Sequence, residues 1–257
     1  MNFADGKILL ESDGGVALIT FNNPEKRNAM SLAMWDGLAA ALDVLEGDGS
    51  VRVLVLTGAG AKAFVSGADI SQFDAARADA SAQREYDRRT AAGRARLAAF
   101  ARPVIARIRG YCLGGGLALA LQADLRIAAE DSEFGIPAAR LGVAYSAEMV
   151  RQLVAVVGPA HARMLLYTGS RIGAQEAERI GLVNRVVADS DLSDAVLDLA
   201  RTIADNAPLS VRAAKLAVAG TDRDAMQAAI DACFDSEDYR EGRAAFAAKR
   251  PPRFHGR

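Results

Sequence analysis

The groups best placed to do chemistry in this chain are backbone amides at two glycine-bearing bends. Gly114-Gly115-Gly116 lies between a strand-like run, Pro103 to Arg109, and a stretch of small apolar residues, Leu117 to Gln122. Glycines let a backbone approach a ligand closely and adopt positive φ. A helix beginning there adds unpaired N–H groups and a partial positive charge of about half a unit. Such a turn suits an anion or a developing oxyanion. Tight packing of the turn against its neighbours accounts for the same residues equally well. Two phosphate readings weaken on the residues themselves. A P-loop needs Lys and Ser/Thr after the last glycine, where Leu117 and Ala118 stand. The G-x-G-x-x-G of a dinucleotide turn does not occur between Gly110 and Gly116. The second bend is Lys62-Ala63-Phe64-Val65-Ser66-Gly67-Ala68-Asp69-Ile70, after the apolar run Val51 to Thr57. Asp69 can cap a following turn. Two such bends at the ends of two strands could aim two N–H groups at one carbonyl oxygen, each worth about 3 kcal/mol of barrier.

The elements that must hold these bends are legible from pattern. Val16 to Asn22 is β-rich and stops at Asn22-Asn23-Pro24. Ser31 can cap a helix running to Leu45, with Leu32, Trp35, Leu38, Ala39, Leu42 and Leu45 at helical spacing. Val51 to Thr57 reads as a buried strand. Asp74 to Phe100, rich in Arg and Ala, reads as a helix with a mobile start. Pro103 to Arg109 and Asp124 to Ala128 are strands, with the glycine turn and the helix from Leu117 between them. Glu176 to Arg179 ends a helix, and a strand begins at Gly181-Leu182-Val183-Asn184. The alternation predicts an α/β fold with parallel pairing. Beyond Asn206-Ala207-Pro208 the chain turns Ala-rich and helical to about Lys249. The division is a core over 1–205 and a small helical C-terminal domain over 206–257.

Composition excludes several function classes. The 257 residues are 51% hydrophobic, enough for a sizeable core, and carry 31 basic against 32 acidic residues. That balance argues against a protein that binds nucleic acid by neutralising many phosphates. Two Cys cannot build a disulfide framework or a four-Cys zinc site, and two distant His make a metal centre unexpected. The longest uncharged run, Gly110 to Ala123, holds four glycines and falls short of the roughly 20 apolar residues of a membrane span. No signal-peptide pattern opens the sequence. The expectation is a soluble, cytoplasmic protein in a reducing compartment.

Five short motifs, in order, resemble the crotonase superfamily, the enoyl-CoA hydratase/isomerase family. Asn23-Pro24-Glu25-Lys26-Arg27-Asn28-Ala29 is similar to its Pro-x-x-x-Asn-Ala element, and Ala63 to Ile70 to its A-F-x-x-G-x-D-[IL] segment. Gly110 to Gly116 is similar to G-x-x-x-G-G-G. Phe134-Gly135-Ile136-Pro137 with Gly142, then Ala177 with Gly181 to Asn184, resemble the next two blocks. The resemblance implies a spiral of ββα units with a helical trimerisation domain. It implies an acyl-CoA thioester as substrate, so that coenzyme A is part of the substrate and no separate cofactor is needed. It maps the oxyanion donors to the N–H groups of Ala68 and Gly115. Around them it places Gly114, Gly67, Pro137, Asp69, Ile70 and the loop Ala63, Phe64, Ser66, which would hold the pantetheine by backbone hydrogen bonds. Lys26, Arg27 and Lys62 are candidate rim cations for CoA. The tail Glu241 to Phe254 is similar to the family's E-G-x-x-A-F-x-x-K-R-x-P-x-F, which makes Phe246 and Lys249 candidates to reach a neighbouring subunit's CoA in a homotrimer or a pair of trimers.

The chain departs from the family at two positions. The hydratases use two glutamates to activate water and protonate carbon; the corresponding positions here are Ala118 and Ala138. Tyr145 and Glu148, just after Gly142, are the replacement candidates, with Glu85 and Tyr86 in the Asp74 to Phe100 segment behind them. Tyr145 stands where decarboxylases resembling methylmalonyl-CoA decarboxylase carry a tyrosine, although the His of their first donor loop is Ala68 here. Three readings follow: an enoyl-CoA hydratase or isomerase with displaced proton transfer, an acyl-CoA decarboxylase or other carbon–carbon lyase using Tyr145, and a silent acyl-CoA-binding scaffold.

Overall fold

The computed structural model describes residues 1–69 and 79–257. Ile70 and the expected mobile start of the arginine-rich helix lie outside the described residues. Three strands open the chain as an antiparallel meander: β1 (Asn2–Phe3), β2 (Ile8–Asp13) and β3 (Val16–Phe21). Along β3 the side chains alternate, so Ala17, Ile19 and Phe21 are buried. β4 (Val53–Gly58), β6 (Val104–Ile108), β8 (Leu125–Ala129) and β11 (Arg185–Val187) then add in parallel, giving the order β1-β2-β3-β4-β6-β8-β11. Parallel strands covered on both faces read as continuous apolar runs. In β4, Leu54 and Leu56 join the main core with α1 (Leu32–Gly47), whereas Val53 and Val55 face Leu192, Val196 and Ala200 of α6 (Leu192–Ala204).

A second sheet takes the alternate strands. β5 (Ala63–Val65), β7 (Tyr111–Leu113) and β9 (Glu133–Gly135) pair in parallel, with β10 (Arg171–Gly173) antiparallel at the edge. Each repeat thus gives one strand to the large sheet, the next to the small sheet, and then a helix. The helices are α2 (Ala80–Ala98) after β5, α3 (Gly115–Ala120) after β7 and α4 (Ala147–Thr168) after β9. This positions the site. β5 and β7 are adjacent and parallel, so the bends leaving their ends lie side by side.

Two boundaries differ from the sequence expectation. Tyr111-Cys112-Leu113, read as part of the glycine turn, is strand β7, because β5 and β9 pair with it on both sides. Gly181 to Asn184 is a turn and the strand starts at Arg185. Leu182 and Val183 are buried because the turn docks on β8: the Arg126 Nε donates to the Leu182 carbonyl at 2.8 Å, and the Asn184 Oδ1 accepts the Arg126 N–H at 2.8 Å. The same guanidinium donates to the Ala123 carbonyl at 2.7 Å, tying down the chain just beyond α3. Burial pushes the pKa of Arg126 down. α4 and the short α5 (Ala174–Arg179) follow, the latter matching the helix end expected at Arg179.

The C-terminal region is helical from residue 208, as α7 (Pro208–Val218), α8 (Arg223–Asp235) and α9 (Glu237–Ala248). α8 buries no side chain within this chain. Val218, Phe234 and Phe246 are 90%, 60% and 88% exposed. The tail is nevertheless fixed. Glu241 accepts both Arg250 guanidinium nitrogens, at 2.6 and 2.8 Å, and the Arg253 N–H at 2.9 Å. Buried Asp238 accepts the N–H groups of His255 and Gly256, both at 2.7 Å. The Arg250 pair, then the Arg253 amide, hold the Glu241 carboxyl well below its ordinary 4.5, at about 2. A carboxyl lowered in the folded state contributes fully above its unfolded pKa and loses that contribution as pH falls through the folded one. Protease accessibility of residues 250–257 is therefore expected to rise as pH falls from about 4.5 towards about 2. The Glu241→Gln tail is expected to be accessible already at neutral pH. Identical acid profiles for the two proteins would show that Glu241 does not fasten the tail.

Candidate active site

The first bend leaves β5 clamped from one side. The Ser66 N–H donates to the Arg27 carbonyl at 3.1 Å, the Met30 N–H to the Gly67 carbonyl at 2.8 Å, and the Asp69 N–H to the Met30 carbonyl at 3.0 Å. These bonds occupy the residues on either side of Ala68 and leave its own N–H facing away from Met30. Behind the clamp, fully buried Asn28 donates through Nδ2 to the carbonyls of Ala59 and Ala63, at 3.0 and 2.8 Å, and accepts the Asn23 N–H. Its place in the Pro-x-x-x-Asn-Ala element is thus structural. The Lys26 ammonium pairs with the Asp69 carboxylate at 2.9 Å and braces the same loop.

The second bend leaves β7. Gly114 sits at φ 55°, ψ −120°, with its N–H on the Gly135 carbonyl at 2.8 Å and its carbonyl accepting the Ala118 N–H at 3.1 Å. A side chain at Gly116 would have its Cβ 1.9 Å from the Val65 carbonyl oxygen, so only glycine allows α3 to start hard against β5. That approach brings the bends together: a Cβ built on Gly115 would stand 3.7 Å from the Ala68 amide nitrogen. Among the described residues, neither the Ala68 nor the Gly115 N–H has an acceptor. Two adjacent unpaired amides on rigid strand ends can bind one anionic or polarised oxygen.

Tyr145 completes the cluster. Its hydroxyl is 3.2 Å, and Pro137 Cδ 3.9 Å, from the point where a Gly114 Cβ would lie. The half-buried ring lines an apolar cavity of about 10 Å3 with Ala118, Leu121, Ile136, Met149 and Leu153. Ala118 and Ala138 are buried, at 2% and 5% exposure, and carry no proton-transfer group.

The structure brings Gly67, Ala68, Gly114, Gly115, Pro137 and Tyr145 together, and places other candidates elsewhere. Glu148 is exposed on the first turn of α4. Phe64 is 1% exposed and packs edge-to-face on Phe21 at 5.7 Å, so it and Ala63 can offer a ligand only backbone. Lys62 is exposed and its carbonyl accepts the Tyr111 N–H. The Arg27 guanidinium lies 5.4 Å from the Tyr111 ring centroid, and Arg171, which the sequence reading missed, lies 5.0 Å from the same ring. Phe246 is almost wholly exposed, and Lys249 ends α9 in a left-handed conformation. Burial pushes the Cys112 thiol far up, which leaves it inert.

Comparison with known proteins settles the family. The sequence profile of enoyl-CoA hydratase/isomerase matches residues 11–257. The short-chain-enoyl-CoA hydratase of Clostridium acetobutylicum is 35% identical over 95% of this chain and 95% of its own. The chain belongs to the enoyl-CoA hydratase/isomerase family. The crotonyl-CoA hydratase of Syntrophomonas wolfei is 37% identical over 96% of this chain and 97% of its own. A crystal structure titled enoyl-CoA hydratase/carnithine racemase from Magnetospirillum magneticum superposes with a TM-score of 0.92, at 39% identity, covering 98% of this chain and 96% of that one. The fold is therefore the crotonase fold, and the strand–strand–helix repeat is its ββα unit. Among the described residues of this enoyl-CoA hydratase/isomerase family member, no helix is long and apolar enough to cross a membrane, and no three His, Cys, Asp or Glu side chains cluster as metal ligands.

Proposed function

We propose that this protein is an enzyme of acyl-CoA thioesters that stabilises a thioester enolate between the Ala68 and Gly115 N–H groups. The observation that carries this reading is that, among the described residues, the Ala68 and Gly115 amides are both without an acceptor on bends that meet, a Cβ built on Gly115 standing 3.7 Å from the Ala68 nitrogen. As the thioester carbonyl gains negative charge, both donors strengthen, which favours the transition state over the bound substrate. The loop from Ala63 to Ala68 would offer backbone groups to the pantetheine, and exposed Lys62 with Arg27 and Arg171, whose guanidinium groups meet at the Tyr111 ring, would supply the cations for the phosphates. A cavity of about 10 Å3 is comparable to one water, so an acyl chain must open the wall formed by Tyr145 and Met149.

The nominal reaction is that of the family, hydration or isomerisation of an enoyl-CoA. Alanine at positions 118 and 138 removes the acid and base that the resemblance assigns to hydration. The Tyr145 hydroxyl beside Gly114 favours a second reading, decarboxylation of a malonyl-type thioester. There the breaking C–C bond supplies the electron pair that forms the enolate, CO2 departs, and a proton then adds to the α-carbon. This chemistry needs the two amides and one orienting or proton-delivering hydroxyl. The exposed apolar side chains of α7 to α9 support a homo-oligomer built through residues 206–257, a trimer or a pair of trimers.

The test is purified protein with crotonyl-CoA, followed by loss of the enoyl thioester absorbance, alongside malonyl- and methylmalonyl-CoA followed by CO2 release. Turnover of at least one class is expected. Thioester binding with no turnover of any would overturn the enzyme reading and leave a silent binder.

A further inference from the structure

The N-terminal ends of β4 and β6 open on a cavity of about 540 Å3, closed by the ends of α1, α2 and α6, the first turn of α7 and the tail at His255 and Gly256. The Ala63 and Phe64 carbonyls of β5 meet Gly58 at the other end of β4. About 20 Å of extended chain, Arg52 to Gly58, therefore separates this cavity from the strand that carries the first amide bend. Three arginines line the cavity: Arg52, Arg102 and Arg212. The Arg52 stem passes Gly15, and its Nη1 comes 2.9 Å from a Cβ built on Gly256, beside Pro208. Arg102 donates to the Leu45 and Asp48 carbonyls, both at 2.8 Å, which fixes its guanidinium at the end of α1. Arg212 is exposed, one turn into α7. Among the described residues, neither the Arg52 nor the Arg212 side chain has a hydrogen-bond acceptor or a carboxylate partner. The carboxylate in the lining, Glu46, is already held by Arg96 at 2.7 Å. Burial lowers the pKa of Arg102; Asp48 and Glu46 oppose that shift, and Arg212 and Arg52 add to it. The three cations thus crowd one cavity with no free anion of the chain to balance them.

We propose that this cavity is a second binding site, for a small molecule that carries a diphosphate. Guanidinium forks match phosphate oxygens two at a time, and several negative charges on one group answer three arginines. The volume falls within the range of about 300–1,000 Å3 usual for small-molecule sites. Val51, Pro103, Ile203 and Leu209 give it an apolar wall for the organic part of the ligand. The site is independent of the chemistry assigned to the Ala68 and Gly115 amides.

The test is calorimetric titration of inorganic pyrophosphate, at fixed salt, into the full-length protein and its Arg52→Met, Arg212→Met and Lys62→Met variants, with citrate as a polycarboxylate control. One pyrophosphate per chain is expected, bound more tightly than citrate. Each arginine variant is expected to weaken it by about 10- to 100-fold, the range for a charge-assisted contact. Lys62→Met removes a cation of the proposed CoA rim and is expected to change pyrophosphate binding less than about twofold. Binding of crotonyl-CoA is expected to be the same in the two arginine variants as in the wild type. Arg212 is exposed on a helix, so its variant keeps the test open if Arg52→Met disturbs the tail. No saturable pyrophosphate binding, undiminished binding in a folded arginine variant, or a loss confined to Lys62→Met overturns the site. Tighter binding of citrate overturns its assignment to phosphate.

Discussion

Gly114→Ala is expected to lower turnover by about 10²- to 10³-fold while the protein stays folded, the loss typical of removing one oxyanion donor. The argument is conformational. At φ 55° and ψ −120°, residue 114 occupies backbone space that an L side chain rarely adopts. Its N–H is anchored on the Gly135 carbonyl, so the strand side of the bend is fixed. Relief must come from rotating the Gly114–Gly115 peptide, and that peptide carries the Gly115 N–H proposed as a donor. The new methyl would also lie 3.2 Å from the Tyr145 hydroxyl. Repeating the substitution in a Tyr145→Phe background removes that contact and leaves the backbone strain. A persistent loss in the double variant assigns the effect to the peptide. The readout is kcat on the best thioester substrate, with circular dichroism to confirm the fold. A Gly114→Ala enzyme turning over within threefold of wild type would remove Gly115 from the catalytic machinery.

The legibility of this chain in its sequence follows from which interactions are local. Ser31 caps α1 as expected, its hydroxyl accepting the Met34 N–H, because a cap is decided within four residues. Val51 to Thr57 reads as a buried strand, and β4 is found there, because both of its faces are covered by apolar layers. The meeting of the two bends is not local. It depends on β5 and β7, three residues each, being neighbours in a second sheet whose strands alternate with those of the first. So short a strand leaves no period to read, and Tyr111 to Leu113 therefore merges with the glycine turn. The arginines between Asp74 and Phe100 are obscured for a related reason: all six look alike in sequence. The fold sorts those described, since Arg89 and Arg96 reach carboxylates of α1 while the Arg94 guanidinium lies half-buried, 5.8 Å from the Trp35 ring centroid. Phe64 errs the other way, since a motif position argues for ligand contact while its side chain fills the core against Phe21.

Tyr145→Phe is expected to lower kcat by about 10²-fold, the lower part of the range for a positioned proton-transfer group, with thioester binding changed less than twofold. The substitution deletes one oxygen and keeps the ring that lines the cavity with Ala118, Ile136 and Leu153. An effect on chemistry alone therefore separates the hydroxyl from the wall it belongs to. A fall in affinity with kcat unchanged would make Tyr145 a packing residue. The hydroxyl can act in two ways, by orienting a departing carboxylate or by delivering the proton that quenches the enolate. Turnover of a methylmalonyl-type thioester in D2O distinguishes them. A delivering hydroxyl places deuterium on one face of the α-carbon, and the Phe variant would lose that selectivity along with rate. An orienting hydroxyl leaves the facial selectivity intact in the slow variant. Ala118 and Ala138 make this the decisive side chain: both are buried methyl groups, Ala118 on the same wall, and neither can substitute as an acid when the tyrosine oxygen is gone.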